Sequence, residues 1–320
     1  MILLTGASGF VGRAVLSSLK QHRSVRAVLR QLNTDLPNDV DVFQASLSSN
    51  QDWFNAFSEV SAIIHCAARV HVMNDQSVNP LAEFRHVNVD GTLHLARQAA
   101  KAGVKRFVFL SSIKVNGEHT LQNQAFFADQ LPAPLDPYGV SKREAEDGLR
   151  ALAKETGMEV VIIRPPLVYG PGVKANFRAM MKALWRGLPL PLGSVVENRR
   201  SLVALDNLVD LIVTCIDHPA AANQTFLVSD GEDLSTAGLL QRMGDALGRP
   251  ARLIPVPPML LMVGAKIIGR SGVAQRLCGS LQVDISKTRE LLDWSPPVSV
   301  GEALRKTAEH WLKVNAARID

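Results

Sequence analysis

The first twelve residues, MILLTGASGFVG, restrict the fold of this chain more than any other stretch. Met1 to Thr5 is a short apolar run with strand character. Gly6, Gly9 and Gly12 follow at three-residue spacing, and a helical pattern runs from Val11 to Leu19. Strand, glycine loop and helix start occur in that order. The glycines permit a tight turn and a close approach of the backbone to a pyrophosphate. The helix N-terminus turns free N–H groups and the positive end of its dipole toward the same phosphates. A lone glycine motif is weak evidence, so the pattern behind it matters.

That pattern alternates. Further strands are predicted at Ser24 to Leu29, Val40 to Ala45, Ser61 to Cys66, Lys105 to Ser111 and Glu159 to Arg164. Long helices are predicted at Pro80 to Ala102 and Tyr138 to Thr156. Strands with no in/out alternation, separated by helices, indicate a parallel sheet covered on both faces. Right-handed crossovers then give an α/β fold with a doubly wound, Rossmann-type sheet. After Arg164 the texture changes to RPPLVYGPG, rich in Pro and Gly. A helix is expected near Asn176 to Arg186, a strand at Ser201 to Leu205, and a helix N-capped by Asp206. The expected division is 1–164 for the dinucleotide-binding domain with the catalytic residues. Residues 165–320 are mainly a smaller substrate-binding cap, with some segments returning to the first domain.

Composition narrows the class. Hydrophobic residues make up 47% and charged residues 20% of 320 residues, as in a soluble globular protein. The net charge of +5 suits an anionic ligand, and without a dense Lys/Arg run it does not indicate nucleic acid. Cys66, Cys215 and Cys278 are odd in number and far apart, so no disulfide framework and no metal site follows. A reducing cytoplasm is the expected compartment. The apolar stretch from Pro257 to Gly269 falls short of the ~20 residues that span a bilayer. It reads as a buried or partner-facing helix, with a monotopic membrane contact as the alternative.

Two features carry chemistry. Tyr138 and Lys142 lie four residues apart and share a helix face. A tyrosine, with its usual pKa of about 10, needs neighbouring positive charge to trade protons with a substrate hydroxyl at neutral pH, and Lys142 supplies it. The second strand ends in Leu29-Arg30-Gln31, without the acid that would hold ribose hydroxyls. Arg30 in that place would pair with a 2′-phosphate, which favours NADP(H) over NAD(H).

GASGFVG, YGVSK, FLSSIKVNG and RPPLVYGPG together resemble the extended short-chain dehydrogenase/reductase family, in its sugar-nucleotide epimerase/reductase branch. The resemblance implies that Gly6, Ser8, Gly9, Phe10, Val11 and Gly12 line the cofactor. Ser46 stands where the family usually has an adenine-side Asp, with Leu47 beside it. Cys66, Ala67 and Ala68 match the fourth-strand end that passes the cofactor. Pro165 and Val168 belong to a signature next to the nicotinamide. Ser112 matches the Ser/Thr that orients the reacting oxygen toward Tyr138, and Lys142 also holds the cofactor ribose. Asn88 matches a structural helix asparagine. Asn176 and either Arg199 or Arg200 match residues that meet the substrate diphosphate. Lys114 is either a substrate contact or a solvated lysine. Related dehydratases carry an Asp-Glu pair where Ile113-Lys114 stands here, which argues against 4,6-dehydration.

The resemblance leaves two chemistries at C4 of a UDP-sugar. The favoured one is NADPH-dependent reduction of a 4-keto-6-deoxy-hexosamine with Tyr138 as proton donor. The other is 4-epimerisation by transient oxidation. A non-catalytic dinucleotide sensor would be free to lose Ser112, Tyr138 or Lys142, and all three are present. A homodimer through the two long helices is also implied.

Overall fold

Seven parallel strands form the centre of the computed structural model, which describes residues 1–32, 36–37, 39–70 and 79–316. In sheet order they are β3 (Asp41–Gln44), β2 (Val25–Leu29), β1 (Ile2–Thr5), β4 (Ala62–His65), β5 (Arg106–Leu110), β6 (Glu159–Arg164) and β9 (Thr225–Leu227). The order reverses between β1 and β4, where Thr5 registers with His65. Ligands of open parallel sheets bind outside the carboxyl ends of the strands at such a reversal.

The strand sequences explain the two covered faces. Ile2, Leu4, Ile64, Val108, Val161 and Ile163 point to one face, under α1 (Phe10–Leu19) and α6 (Leu205–Asp217). Leu3, Ile63, Phe107, Phe109, Val160 and Ile162 point to the other, under α3 (Thr92–Lys101) and α4 (Pro137–Thr156). Burial on both sides removes any reason for polar alternation. The edge strand β3 is the exception. It is largely exposed, and Asp41 there pairs with Arg26 of β2 at 2.8 Å.

Beyond β6 the chain builds a third apolar cluster. It joins α5 (Ala175–Trp185), α7 (Thr236–Ala246) and α11 (Val300–Ala316) beside a two-stranded sheet of β7 (Leu167–Tyr169) and β8 (Leu202–Ala204). The chain returns to the main sheet at β9, and α10 (Ser286–Leu292) packs there as Thr288 donates to the Leu227 carbonyl at 2.6 Å.

The structure corrects several sequence expectations. The helix expected from Pro80 to Ala102 is α2 (Pro80–Arg85) and α3, separated by a π-helical turn at His86–Gly91. Such turns are frequent at functional sites, and here the turn carries the buried Asn88. Asp206 does not cap α6. The strand β8 runs straight into the helix, so Ala204 holds the cap position and Asp206 falls in the first turn, paired with Lys306 at 2.9 Å. The strands β7 and β9 are three residues each, too short for a periodic signal. The apolar helix α8 (Pro258–Ile267) is not buried; none of its residues is. No helix among the described residues is long and apolar enough to cross a membrane.

Candidate active site

At the carboxyl end of β1 the backbone turns at Gly6 with φ +73°, a left-handed conformation suited to glycine. A Cβ on Gly6 would lie 2.7 Å from the Ala67 amide nitrogen, so the loop and the end of β4 touch backbone to backbone. A Cβ on Gly12 would lie 2.1 Å from the Gly6 carbonyl oxygen. Helix α1 therefore starts pressed against the loop, which requires the third glycine. Gly9 caps this helix without any side-chain hydrogen bond, and the first turn holds no acid. Its N–H groups and dipole are left for an anion. Ser8, Phe10 and Val11 flank this cradle. A dinucleotide pyrophosphate fits this donor set.

The neighbouring strand ends are braced. Thr5 Oγ1 is 2.8 Å from His65 Nδ1, and His65 Nε2 is 3.0 Å from Thr92 Oγ1. His65 is fully buried, and burial with the nearby Lys142 charge pushes its pKa down to about 3, so it stays neutral. Cys66 follows, its thiol pushed up to about 12 by burial. The Ala67 amide donates to Thr5 Oγ1 at 3.3 Å. The chain beyond Ala68 is held by Asn88, whose Oδ1 accepts from the Arg69 amide at 2.8 Å. Its Nδ2 donates to the Arg69 carbonyl and to Ser141 Oγ, both at 3.0 Å. Asn88 thus ties the β4 exit to α4. On the adenine side, the Ser46 amide donates to Gln51 Oε1 at 3.2 Å, and Leu47 packs against Gly91. Arg30 is exposed at the end of β2, and its carbonyl accepts from Gln44 at 3.3 Å.

Ser112, Tyr138 and Lys142 converge above β5. Ser112 leaves the strand extended, and its hydroxyl accepts from the Lys114 amide at 3.3 Å. The same hydroxyl lies close enough to Tyr138 to oppose the rise of its pKa. Burial and the Asp136 carboxylate push Tyr138 up to about 12, with the Ser112 hydroxyl acting the other way. Lys142, one turn along α4, is buried with Nζ 4.1 Å from the centre of the Phe109 ring. Burial lowers its pKa to about 7, opposed by the charge of Glu146. The free protein therefore holds a protonated tyrosine beside a lysine poised between charge states.

Lys114, expected from sequence to be a substrate contact or a solvated lysine, is partly exposed and ion-paired. Its ammonium pairs with Asp136 and, at 3.3 Å, with Glu118. Asp136 caps α4 by accepting from the Gly139 amide at 2.7 Å. The pair joins the turn that carries Ser112 to the helix that carries Tyr138. Pro165 supports that turn too, as its carbonyl accepts from the Ile113 amide at 3.0 Å, and Val168 lies in β7 beyond it.

The candidate diphosphate residues separate. Arg199 spends its guanidinium on the Val196 and Asn198 carbonyls at 2.8 and 3.0 Å. Arg200 donates to the Gly279 carbonyl at 3.1 Å, and burial and the charge of Arg276 lower its pKa. Two cations near each other, neither ion-paired with a carboxylate among the described residues, suit an anion. Arg276 was not expected from sequence, because nothing local distinguishes it from a surface arginine. Asn176 is exposed in the first turn of α5. Glu146 was also missed; its pattern looks like an ordinary polar helix position.

The comparisons accord with this geometry. The family described as the NAD dependent epimerase/dehydratase family matches residues 2–229. The chain is 49% identical over 318 residues to a UDP-glucose 4-epimerase of Vibrio cholerae, covering 98% of this chain and 96% of that one. It resembles the crystal structure of a Thermotoga maritima UDP-glucose 4-epimerase with UDP-glucose, at TM-score 0.79 and 23% identity, covering 98% and 99% of the two chains. It also resembles a Bacillus cereus UDP-glucuronic acid 4-epimerase in complex with NAD, at TM-score 0.78 and 20% identity, covering 98% and 96%. The glycine cradle, the Ser112–Tyr138–Lys142 cluster and the sheet order all belong to one protein: the chain is a member of the NAD dependent epimerase/dehydratase family.

Proposed function

We propose that this protein is a UDP-sugar 4-epimerase that keeps NAD bound through its cycle. The observation that carries the reading is the near end-to-end 49% identity to the Vibrio cholerae UDP-glucose 4-epimerase. It favours the epimerase over the 4-keto reductase expected from sequence. NAD replaces NADP(H) for a related reason: the structural neighbour holds NAD, and Arg30, exposed at the sheet end, is read as a surface charge.

The residues suit the reaction. Bound NAD⁺ supplies the hydride acceptor at C4 and later the donor. Tyr138 accepts the C4 hydroxyl proton, while the Ser112 hydroxyl holds that oxygen in line. Lys142, charged, lowers the pKa of Tyr138 for this step and hydrogen-bonds the cofactor ribose. After the 4-keto sugar turns over, Tyr138 returns the proton to the new alkoxide. Arg200 and Arg276 hold the diphosphate through the turn, with Asn176 at the same end. No general acid beyond Tyr138 is required, which agrees with Ile113-Lys114 in place of an Asp-Glu pair. We further propose that residues after 164 form the substrate cap and that two copies pair through α2–α3 and α4.

The test is purification followed by cofactor release and turnover. Bound NAD and interconversion of UDP-glucose and UDP-galactose, or of their N-acetylated forms, without net NADH change are expected. The Tyr138→Phe variant should retain NAD and lose turnover by about 10²-fold or more. Stoichiometric NADPH oxidation by a UDP-4-keto sugar would restore the reductase instead.

A further inference from the structure

Helix α8 and helix α9 (Ser271–Cys278) form a hairpin at the edge of the cap. Only Leu261 and Ala265 of α8 are half-buried, and Leu261 packs on the third apolar cluster. Met259, Leu260, Val263, Ile267 and Ile268 stand in solvent, Met259 and Ile267 at 78% and 80% exposure. Contiguous exposed side chains of this size on a soluble protein mark a contact surface rather than a scattered apolar residue.

The surrounding charge identifies the contact. Between Asp245 and Asp284 the chain contains Arg249, Arg252, Lys266, Arg270 and Arg276 and no Asp or Glu. All five cations are exposed. None is paired with a carboxylate among the described residues. Lys266 and Arg270 follow the apolar turns of α8 directly, where their stems can lie along the apolar surface while their charges stay in water. A second copy seated on this face by two-fold symmetry would bring like charges together. An anionic lipid surface meets both requirements at once, since apolar side chains enter the acyl boundary and cations meet the headgroups.

We propose that the α8–α9 hairpin docks this protein on an anionic membrane surface. The helix is ~15 Å long and would lie in the interface rather than span it. Arg276 sits on the same hairpin and its charge reaches Arg200, so docking holds the Arg200 side of the site near headgroup level.

The experiment is co-sedimentation of the full chain with vesicles of phosphatidylglycerol and phosphatidylethanolamine, against vesicles of phosphatidylcholine alone. The wild type should bind the anionic vesicles, less at high salt, and not the neutral ones. A Met259→Ser/Ile267→Ser/Ile268→Ser variant should lose about tenfold or more of the partitioning. A Lys266→Glu/Arg270→Glu variant should lose about fivefold or more per cation. Failure of the wild type to bind, or unchanged binding by the apolar variant, would overturn the proposal. So would a lipid-free dimer that the apolar variant abolishes. Melting temperature checks the fold of each variant, so a failure here is separate from a failure of the epimerase reading.

Discussion

Arg164 and Glu146 form a two-pronged ion pair, both fully buried, with Nε to Oε1 at 2.9 Å and Nη2 to Oε2 at 2.5 Å. Ser111 donates to the same carboxylate at 2.6 Å, and Arg150 at 2.9 Å. Arg164 also donates to Asn116 Oδ1 at 2.9 Å. The end of β5, the turn after it, α4 and β6 are thereby fixed to one another. Replacing Glu146 with Ala leaves a buried guanidinium without its carboxylate, which costs about 3–5 kcal/mol. Denaturant unfolding should show this loss. An Arg164→Met/Glu146→Leu double variant should recover much of it, and an additive result would refute the coupling.

Lys142 predicts a pH-dependent stability. Its folded pKa is about 7 because of burial, below the ordinary value near 10.5. Between these values the unfolded chain binds the proton that the folded chain has released, so stability from this group rises with pH across that window. The penalty is fully present below about pH 7. Lys142→Met should therefore melt higher than the cofactor-free wild type at pH 6, by several degrees, with the difference shrinking toward pH 10. Turnover should be lost throughout. A constant difference in melting temperature would show that packing, not charge burial, is responsible.

Asp136 acts on Tyr138 through its charge and on α4 through its cap. Asp136→Asn keeps a good capping residue but removes the negative charge that raises the Tyr138 pKa. As Tyr138 must be ionised to accept a proton, the rising limb of kcat/KM should move to lower pH. Asp136→Ala should show the same shift and lose about a further 1 kcal/mol of stability with the cap. An unmoved pH profile in both variants would remove Asp136 from the electrostatics of the site.

Gly12→Ala places a methyl group within 2.1 Å of the Gly6 carbonyl oxygen, an atom of backbone that has no free direction to move. The loop must shift away from α1, and the pyrophosphate donors with it. The variant should bind NAD more weakly on the order of tenfold or worse, read by cofactor content after purification. Gly157→Ala is the control, since a Cβ there meets nothing within 4 Å. Its strained φ should lower stability without lowering NAD content.

The α/β class, the glycine loop and the Tyr138–Lys142 pair were legible because each depends on spacing along one segment. Three-residue glycine spacing makes a loop, four-residue spacing makes a shared helix face, and uninterrupted apolar runs make a strand buried on both sides. Those periodicities are local consequences of backbone geometry, and they are written in order in the chain. Tertiary structure alone decided what depends on distant segments meeting. Lys114 became a helix anchor because Asp136 arrives beside it, Arg200 acquired Arg276 as a neighbour, and Glu146 found Arg164 under β5. The break at His86–Gly91 contains Asn88, which reaches both Arg69 and Ser141. A charge has no defined partner, and an apolar helix no defined buried face, until the rest of the chain surrounds it. For that reason α8, apolar enough in sequence to pass for core, stands in solvent.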